Sequence, residues 1–151
     1  MKVGDKAPDF SLASDDGTRI ALKDLRGQSV VLYFYPKDDT PGCTQEACDF
    51  RDALPRFKAS NAVVLGVSPD SVASHARFRA KFGLPFTLLA DQDHEVAERY
   101  GVWQEKKFMG RKYMGVVRTT FVIDPHGIIS HVFTVKKVAG HVEAVEAAVA
   151  S

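Results

Sequence analysis

Val30-Val31-Leu32-Tyr33-Phe34-Tyr35, followed by Pro36-Lys37-Asp38-Asp39-Thr40-Pro41-Gly42-Cys43, is the stretch from which the rest of the chain is placed. Six consecutive apolar or aromatic residues read as a buried strand. Pro36 ends it, because proline cannot donate to a sheet ladder. After the turn formers that follow, Thr40 suits a helix N-cap and Pro41 suits the first helical position, where a missing N–H removes no bond. Cys43 then falls in the first helical turn. Free backbone N–H groups and the positive end of the helix dipole favour the thiolate of a cysteine so placed. A lone cysteine is otherwise best read as a small buried hydrophobe. Here strand, proline, cap and helix start together favour a functional Cys43.

Cys48 is the only other cysteine. Five residues on an ideal helix rise about 7.5 Å and separate the two Cα atoms by roughly 8.6 Å. A disulfide needs about 4.4–6.8 Å. Two cysteines at this spacing cannot bond on one intact helix, so either they are unrelated or the helix opens when they react.

Downstream, Ala47, Phe50, Leu54 and Phe57 recur at helical spacing and mark a core-facing stripe. Pro55 lies inside that pattern and predicts a kink or an early end near Ala53. The apolar run 62–68 reads as a second central strand buried on both faces. A helix follows, started by Ser68-Pro69-Asp70-Ser71 and running to about Phe82, ended by Gly83 as a left-handed cap. Residues 86–90 form the next strand, and Asp91-Gln92-Asp93 caps a short helix through Tyr100. Residues 103–115 show no clear periodicity and read as a basic, solvated loop. Residues 116–123 and 128–133 flank Asp124-Pro125-His126-Gly127 as an antiparallel hairpin. A last helix spans about 141–149, with Val142, Val145 and Val149 on one face. Upstream, residues 9–14 and 18–22 read as two short strands joined at Asp15-Asp16-Gly17, with a turn over 23–27. Strands alternating with helices, then a hairpin, then a helix, predict an α/β fold with a mixed central sheet flanked by helices.

The chain has 151 residues, 45% hydrophobic and 26% charged, with a formal net charge of +1. These values predict one domain, spanning 1–151, with ordinary globular composition. A net charge near zero gives no electrostatic case for nucleic acid or an anionic membrane. Without an apolar segment of spanning length or a signal-peptide core, the cytoplasm is the expected location. The five histidines lack ligand spacing, and two cysteines make a poor zinc site. The sequence holds no nicotinamide, flavin or haem motif, so no cofactor is expected.

The segment 35–52, YPKDDTPGCTQEACDFRD, resembles the active-site signature of the peroxiredoxins, in particular the bacterioferritin-comigratory (Q-type) branch. The likeness covers nearly the whole chain: residues 4–10 are similar to the family's N-terminal motif, 101–115 to its later loop, and 118–124 to the strand that carries its arginine. It implies a thioredoxin fold with an N-terminal β extension. It also implies that Cys43 attacks a hydroperoxide and becomes a sulfenic acid, which Cys48 resolves as an intramolecular disulfide. By the same resemblance Pro36 shields the thiolate and Thr40 hydrogen-bonds sulfur or peroxide while capping the helix. Arg118 supplies the cation, and Glu46 holds that arginine. The residues alone single out no cation, and by themselves they leave Arg118 as a solvent-facing edge-strand arginine and Glu46 as a first-turn glutamate favoured by the dipole. The implied reductant is thioredoxin or a similar dithiol protein. With no third cysteine and no C-terminal arm, a monomer is expected. Two rivals stand beside this reading. A redox sensor or holdase would use the same cysteine switch without turnover. A thioredoxin-like disulfide reductase lacks its Cys-x-x-Cys here.

Overall fold

The computed structural model describes residues 1–150. The apolar run forms β3 (Ser29–Phe34), which pairs in parallel with β4 (Ala62–Ser68), itself parallel to β5 (Thr87–Ala90). The connections are α1 (Pro41–Ala59) and α2 (Val72–Phe82). Strands β8 (Thr119–Ile123) and β9 (Ile129–Thr134) extend the sheet antiparallel on the β3 side. Strands β1 (Ser11–Ser14) and β2 (Arg19–Ala21) extend it antiparallel on the β5 side. The order is β2-β1-β5-β4-β3-β8-β9.

The side-chain period of two divides the core. Val31, Tyr33, Val64, Leu88 and Val122 face α1, α2 and α4 (His141–Ala150). Val30, Leu32, Phe34, Leu65, Val67 and Phe121 face the opposite layer, built from α3 (Glu95–Arg99) and the N-terminal segment. The expected helix stripe is fully placed: Ala47, Phe50, Leu54 and Phe57 are all buried. Ser71 accepts the Ser74 N–H at the start of α2, and Gly83 closes that helix at φ +59°, ψ +46°. Asp91 takes the N–H groups of Val96 and Ala97 at the head of α3. The turn expected over 23–27 begins as a short 3-10 helix, Leu22–Leu25.

Three expectations are corrected. First, of the kink or early end expected from Pro55, the early end near Ala53 does not occur: α1 runs through Pro55 to Ala59. Leu54 and Phe57, on either side of the proline, are both buried, and that packing outweighs the one lost backbone bond. Second, residues 103–115 are not a loop. They form an antiparallel ribbon of β6 (Trp103–Phe108) and β7 (Arg111–Val116), turned through Met109 and Gly110, both at positive φ. Most of its residues are exposed, so no apolar alternation marks it. Third, the strand expected over 116–123 is broken: Val116 ends β7, Val117 donates to the Val102 carbonyl, and β8 starts only at Thr119. Arg118 lies in that break. Among the described residues no helix is long and apolar enough to cross a membrane.

Candidate active site

Strand β3 delivers the chain to Tyr35, whose N–H still bonds the Val67 carbonyl, and the half-buried Pro36 follows. Thr40 occupies the N-cap position with extended backbone, and its carbonyl accepts from Thr44 N–H. Its side chain does not cap the helix as expected. The hydroxyl instead donates to the Lys37 carbonyl at 2.9 Å, closing the preceding turn. Its lone pairs stay available to a ligand.

Cys43 sits in the first turn of α1 and is 2% exposed. Arg118 reaches it from the break before β8, with Nη2 3.3 Å from Sγ. The other nitrogen, Nη1, donates to Glu46 Oε1 at 2.6 Å. Glu46 is one turn along α1 and fully buried. Arg118 is therefore neither on an edge strand nor turned to solvent; its side chain is 17% exposed and spans thiol and carboxylate. Burial works against its charge, yet Glu46 and Cys43 outweigh that and hold its pKa above the ordinary value. Gly42 leaves room for this approach: a Cβ there would stand 3.2 Å from Arg118 Nη2, and the guanidinium would have to give by a few tenths of an ångström.

Burial drives the Glu46 carboxyl up to about 7, against the pull of Arg118. His141, at the first position of α4, places Nε2 3.7 Å from Glu46 Oε2 and 2.8 Å from the Thr120 hydroxyl. Burial, helped by Arg118, brings its pKa down to about 4. Lys106, from the ribbon, donates to the Val116 carbonyl, and its pKa is lowered by burial and by Arg118. Cys48 is half-buried on the same unbroken helix as Cys43, and both thiols are free.

Of the residues singled out from sequence, Cys43, Arg118 and Glu46 come together in direct contact. Cys48, Thr40 and Pro36 belong to the same strand–turn–helix segment, and Thr40 turns its hydroxyl to Lys37. Sequence reasoning missed His141 and Thr120, since nothing local marks a helix-start histidine as the neighbour of a residue almost a hundred positions earlier.

It also missed a buried network under the active-site turn. Asp38 accepts from Tyr35 at 2.6 Å and Ser74 at 2.8 Å, and its Oδ2 lies 2.7 Å from His75 Nδ1. Its N–H bonds Asp70, and His75 Nε2 meets the Leu89 carbonyl at 2.9 Å. A carbonyl only accepts, so Nε2 carries a proton. Burial opposes the Asp38 charge, but His75 and Tyr35 hold its pKa below the ordinary value. Asp38, Asp70 and His75 converge as metal ligands would. Their converging atoms are already bonded to one another and to Ser68, Ser74 and Leu89, so the group reads as a structural latch.

A buried thiol at a helix N-terminus, paired with a fixed guanidinium on a thioredoxin-like sheet, defines a cysteine-based redox enzyme. Residues 3–132 match the AhpC/TSA family model. The chain is 54% identical to a putative peroxiredoxin Bcp of Coxiella burnetii over 94% of each protein. It is 49% identical to the peroxiredoxin Bcp of Bacillus subtilis, covering 94% of this chain and 90% of that one. A solved structure of the Xanthomonas campestris bacterioferritin comigratory protein, concerned with its alkyl peroxide reduction, matches with a TM-score of 0.89 and 42% identity. That match covers 93% of this chain and 89% of the other. The chain belongs to the AhpC/TSA family and is a thiol peroxidase of the Bcp, or Q-type, peroxiredoxins.

Proposed function

We propose that Cys43 is the peroxide-reducing cysteine, that Cys48 resolves it, and that a thioredoxin-like dithiol protein returns both to thiols. The observation that carries this reading is the Cys43–Arg118–Glu46 contact at the start of α1. The Cys43 thiolate attacks the terminal oxygen of a hydroperoxide. The O–O bond breaks, its electron pair leaves on the alkoxide or hydroxide, and sulfur becomes a sulfenic acid. Arg118 and the helix N–H groups stand where negative charge moves during that step, which is the role fixed donors serve best. In this reading Pro36 and Thr40, in the turn that leads into α1, shield the thiolate and hydrogen-bond the peroxide. The Cys48 thiol then displaces water from the sulfenic acid to give an intramolecular disulfide.

Hydrogen peroxide and organic hydroperoxides are the substrates in this reading, and residues 1–151 act as one thioredoxin-like domain. A pair of thiols that must be recycled by a dithiol protein suits the cytoplasm. The absence of a third cysteine supports a monomer. A thioredoxin-coupled assay with hydrogen peroxide and an alkyl hydroperoxide tests the scheme. Cys43→Ser loses all consumption, because a serine hydroxyl without a base is a poor nucleophile. Cys48→Ser keeps one turnover and stops at the sulfenic acid. Reversed phenotypes would exchange the roles. A protein that stops after about one equivalent with thioredoxin present is a sensor instead, and a covalent dimer on non-reducing gels contradicts the intramolecular bond.

A further inference from the structure

A second helix-start signal lies inside α1. Ser, Thr, Asp and Asn are the residue types that cap helices best, and between Gln45 and Ala59 the chain has two of them, Asp49 and Asp52. Asp49 directly follows Cys48. Within an intact helix an aspartate is a poor choice, because its short carboxylate competes for backbone groups. Here the carboxylate accepts from the exposed Gln45 amide at 2.7 Å and stands close enough to Glu46 to oppose that buried charge. The two residues after Asp49 are fastened to the rest of the fold. Phe50 is fully buried and stacks on Tyr33 at 4.6 Å, and Arg51 Nη1 donates to the Phe82 carbonyl at the end of α2 at 2.8 Å.

We infer that Asp49 is the positioning residue for resolution: when α1 opens as far as Cys48, Asp49 becomes the N-cap of the shortened helix and fixes where the chain turns back toward Cys43. The inference rests on Cys48 being the resolving cysteine.

Opening to Cys48 removes the carbonyls of residues 45–48, and with them the helical partners of the N–H groups of residues 49–52. A capping residue takes extended backbone, and its side-chain oxygen accepts from the N–H two or three residues on. From position 49 those donors are Arg51 and Asp52. The same backbone change turns the chain off the helix axis directly after Cys48. That is the freedom needed by Cys43–SOH + Cys48–SH → Cys43–S–S–Cys48 + H2O. Asp52 then stands in the first turn, where a carboxylate suits the dipole. A start at Asp52 instead would pull Phe50 out of the core, so the burial of that ring selects Asp49.

The test compares two uncharged, isosteric variants of the full chain, Asp49→Thr and Asp49→Val. Their helix propensities are alike, but only threonine caps. Loss of a cap typically shifts a helix equilibrium about fivefold, so Asp49→Val should hold its disulfide about fivefold less tightly than Asp49→Thr, about 20 mV toward easier reduction in a dithiol buffer. Its sulfenic acid should also close more slowly, while peroxide oxidises both variants at the same rate. A hydroxyl that only steadied the closed helix would shift the potential the opposite way. Should Asp49→Val fail to fold, the parent protein decides: in its disulfide form the Cα chemical shifts should turn helical at Phe50, with Asp49 extended. Disulfides equally stable within about 1.5-fold, or helical shifts that begin before Asp49 or only after Asp52, overturn the cap. A parent protein that forms no Cys43–Cys48 bond by mass overturns the resolving role of Cys48 and the cap with it, whereas a bond that forms with equal potentials overturns the cap alone.

Discussion

Removing Arg118 tests the centre of the site most directly. Two unit charges 3.3 Å apart, the separation of Arg118 Nη2 and Cys43 Sγ, attract by about 5 kcal/mol at an effective dielectric of about 20. That is the gross interaction with the resting thiolate. The rate depends on how much of it persists as charge moves toward the leaving oxygen, and loss of one fixed donor at such a site typically costs about 3–4 kcal/mol. Arg118→Ala is therefore expected to slow the reaction about a hundred- to a thousandfold. Arg118→Lys keeps the charge but loses the fork that holds Glu46 and Cys43 together, so its loss should be intermediate. Stopped-flow single turnovers of the Cys48→Ser protein isolate this step from resolution and recycling. A folded Arg118→Ala protein that reacts within about threefold of the parent would refute the argument.

Four further outcomes are expected. Glu46, raised to about 7 in the fold, makes stability fall as pH rises from about 4.5 to 7, whereas His141, lowered to about 4, makes it fall as pH drops from about 6.5 to 4. The two cancel between about pH 4.5 and 6.5, so Glu46→Gln and His141→Phe should expose opposite slopes of about 1.4 kcal/mol per pH unit in denaturant unfolding, and parallel curves would contradict this. Gly42→Ala should fold normally but press on Arg118 and slow peroxide reduction by about tenfold, since the guanidinium is pinned at both ends; an unchanged rate would mean it yields freely. Asp38→Ala strands the buried His75 and should cost about 3–5 kcal/mol, whereas a loss below about 1 kcal/mol would show that the latch carries little. Hydrogen exchange over residues 41–54 should be slow in the dithiol protein and fast in the disulfide form, and equal protection with the disulfide confirmed by mass would mean the bond forms without unwinding α1.

Where burial imposed a period on the chain, the sequence could be read closely. The almost wholly apolar β4 has the bounds its residues imply, and the α1 stripe points where its spacing puts it. The ribbon of β6 and β7 was illegible for the converse reason. It packs little, Lys106 and Lys107 stand where an amphipathic strand would alternate, and its turn is Met109-Gly110, where the familiar hairpin signal is Asn-Gly or Asp-Gly. Pro55 misled because the local cost of proline is visible in sequence and the compensating burial of Leu54 and Phe57 is not. At the site, Cys43 was legible from its helix start, Arg118 and Glu46 only through family resemblance, and His141 not at all. The Asp38–His75 latch joins residues 37 positions apart with no local mark on either.

The two cysteines place a limit on how the site can work. Bringing Cys43 and Cys48 within disulfide reach requires the helix between them to open, and Glu46 lies in that segment. Opening therefore pulls Glu46 off Arg118 and into water. In the closed state that carboxyl is poorly placed, with one oxygen unbonded and burial holding its titration near 7, so hydration relieves part of what unwinding costs. The segment is bounded on both sides. Upstream, Asp38 is tied to Tyr35, Ser74, His75 and Asp70; downstream, Phe50 stacks on Tyr33 with ring centroids 4.6 Å apart. Between these anchors Ala47 is the main apolar side chain to be exposed, since Cys43 itself enters the new bond. An opening confined to about residues 41–49 takes only Cys43 and Ala47 out of the core layer under α1 and leaves the opposite layer intact, so in the proposed scheme these anchors set how far the helix yields for Cys48.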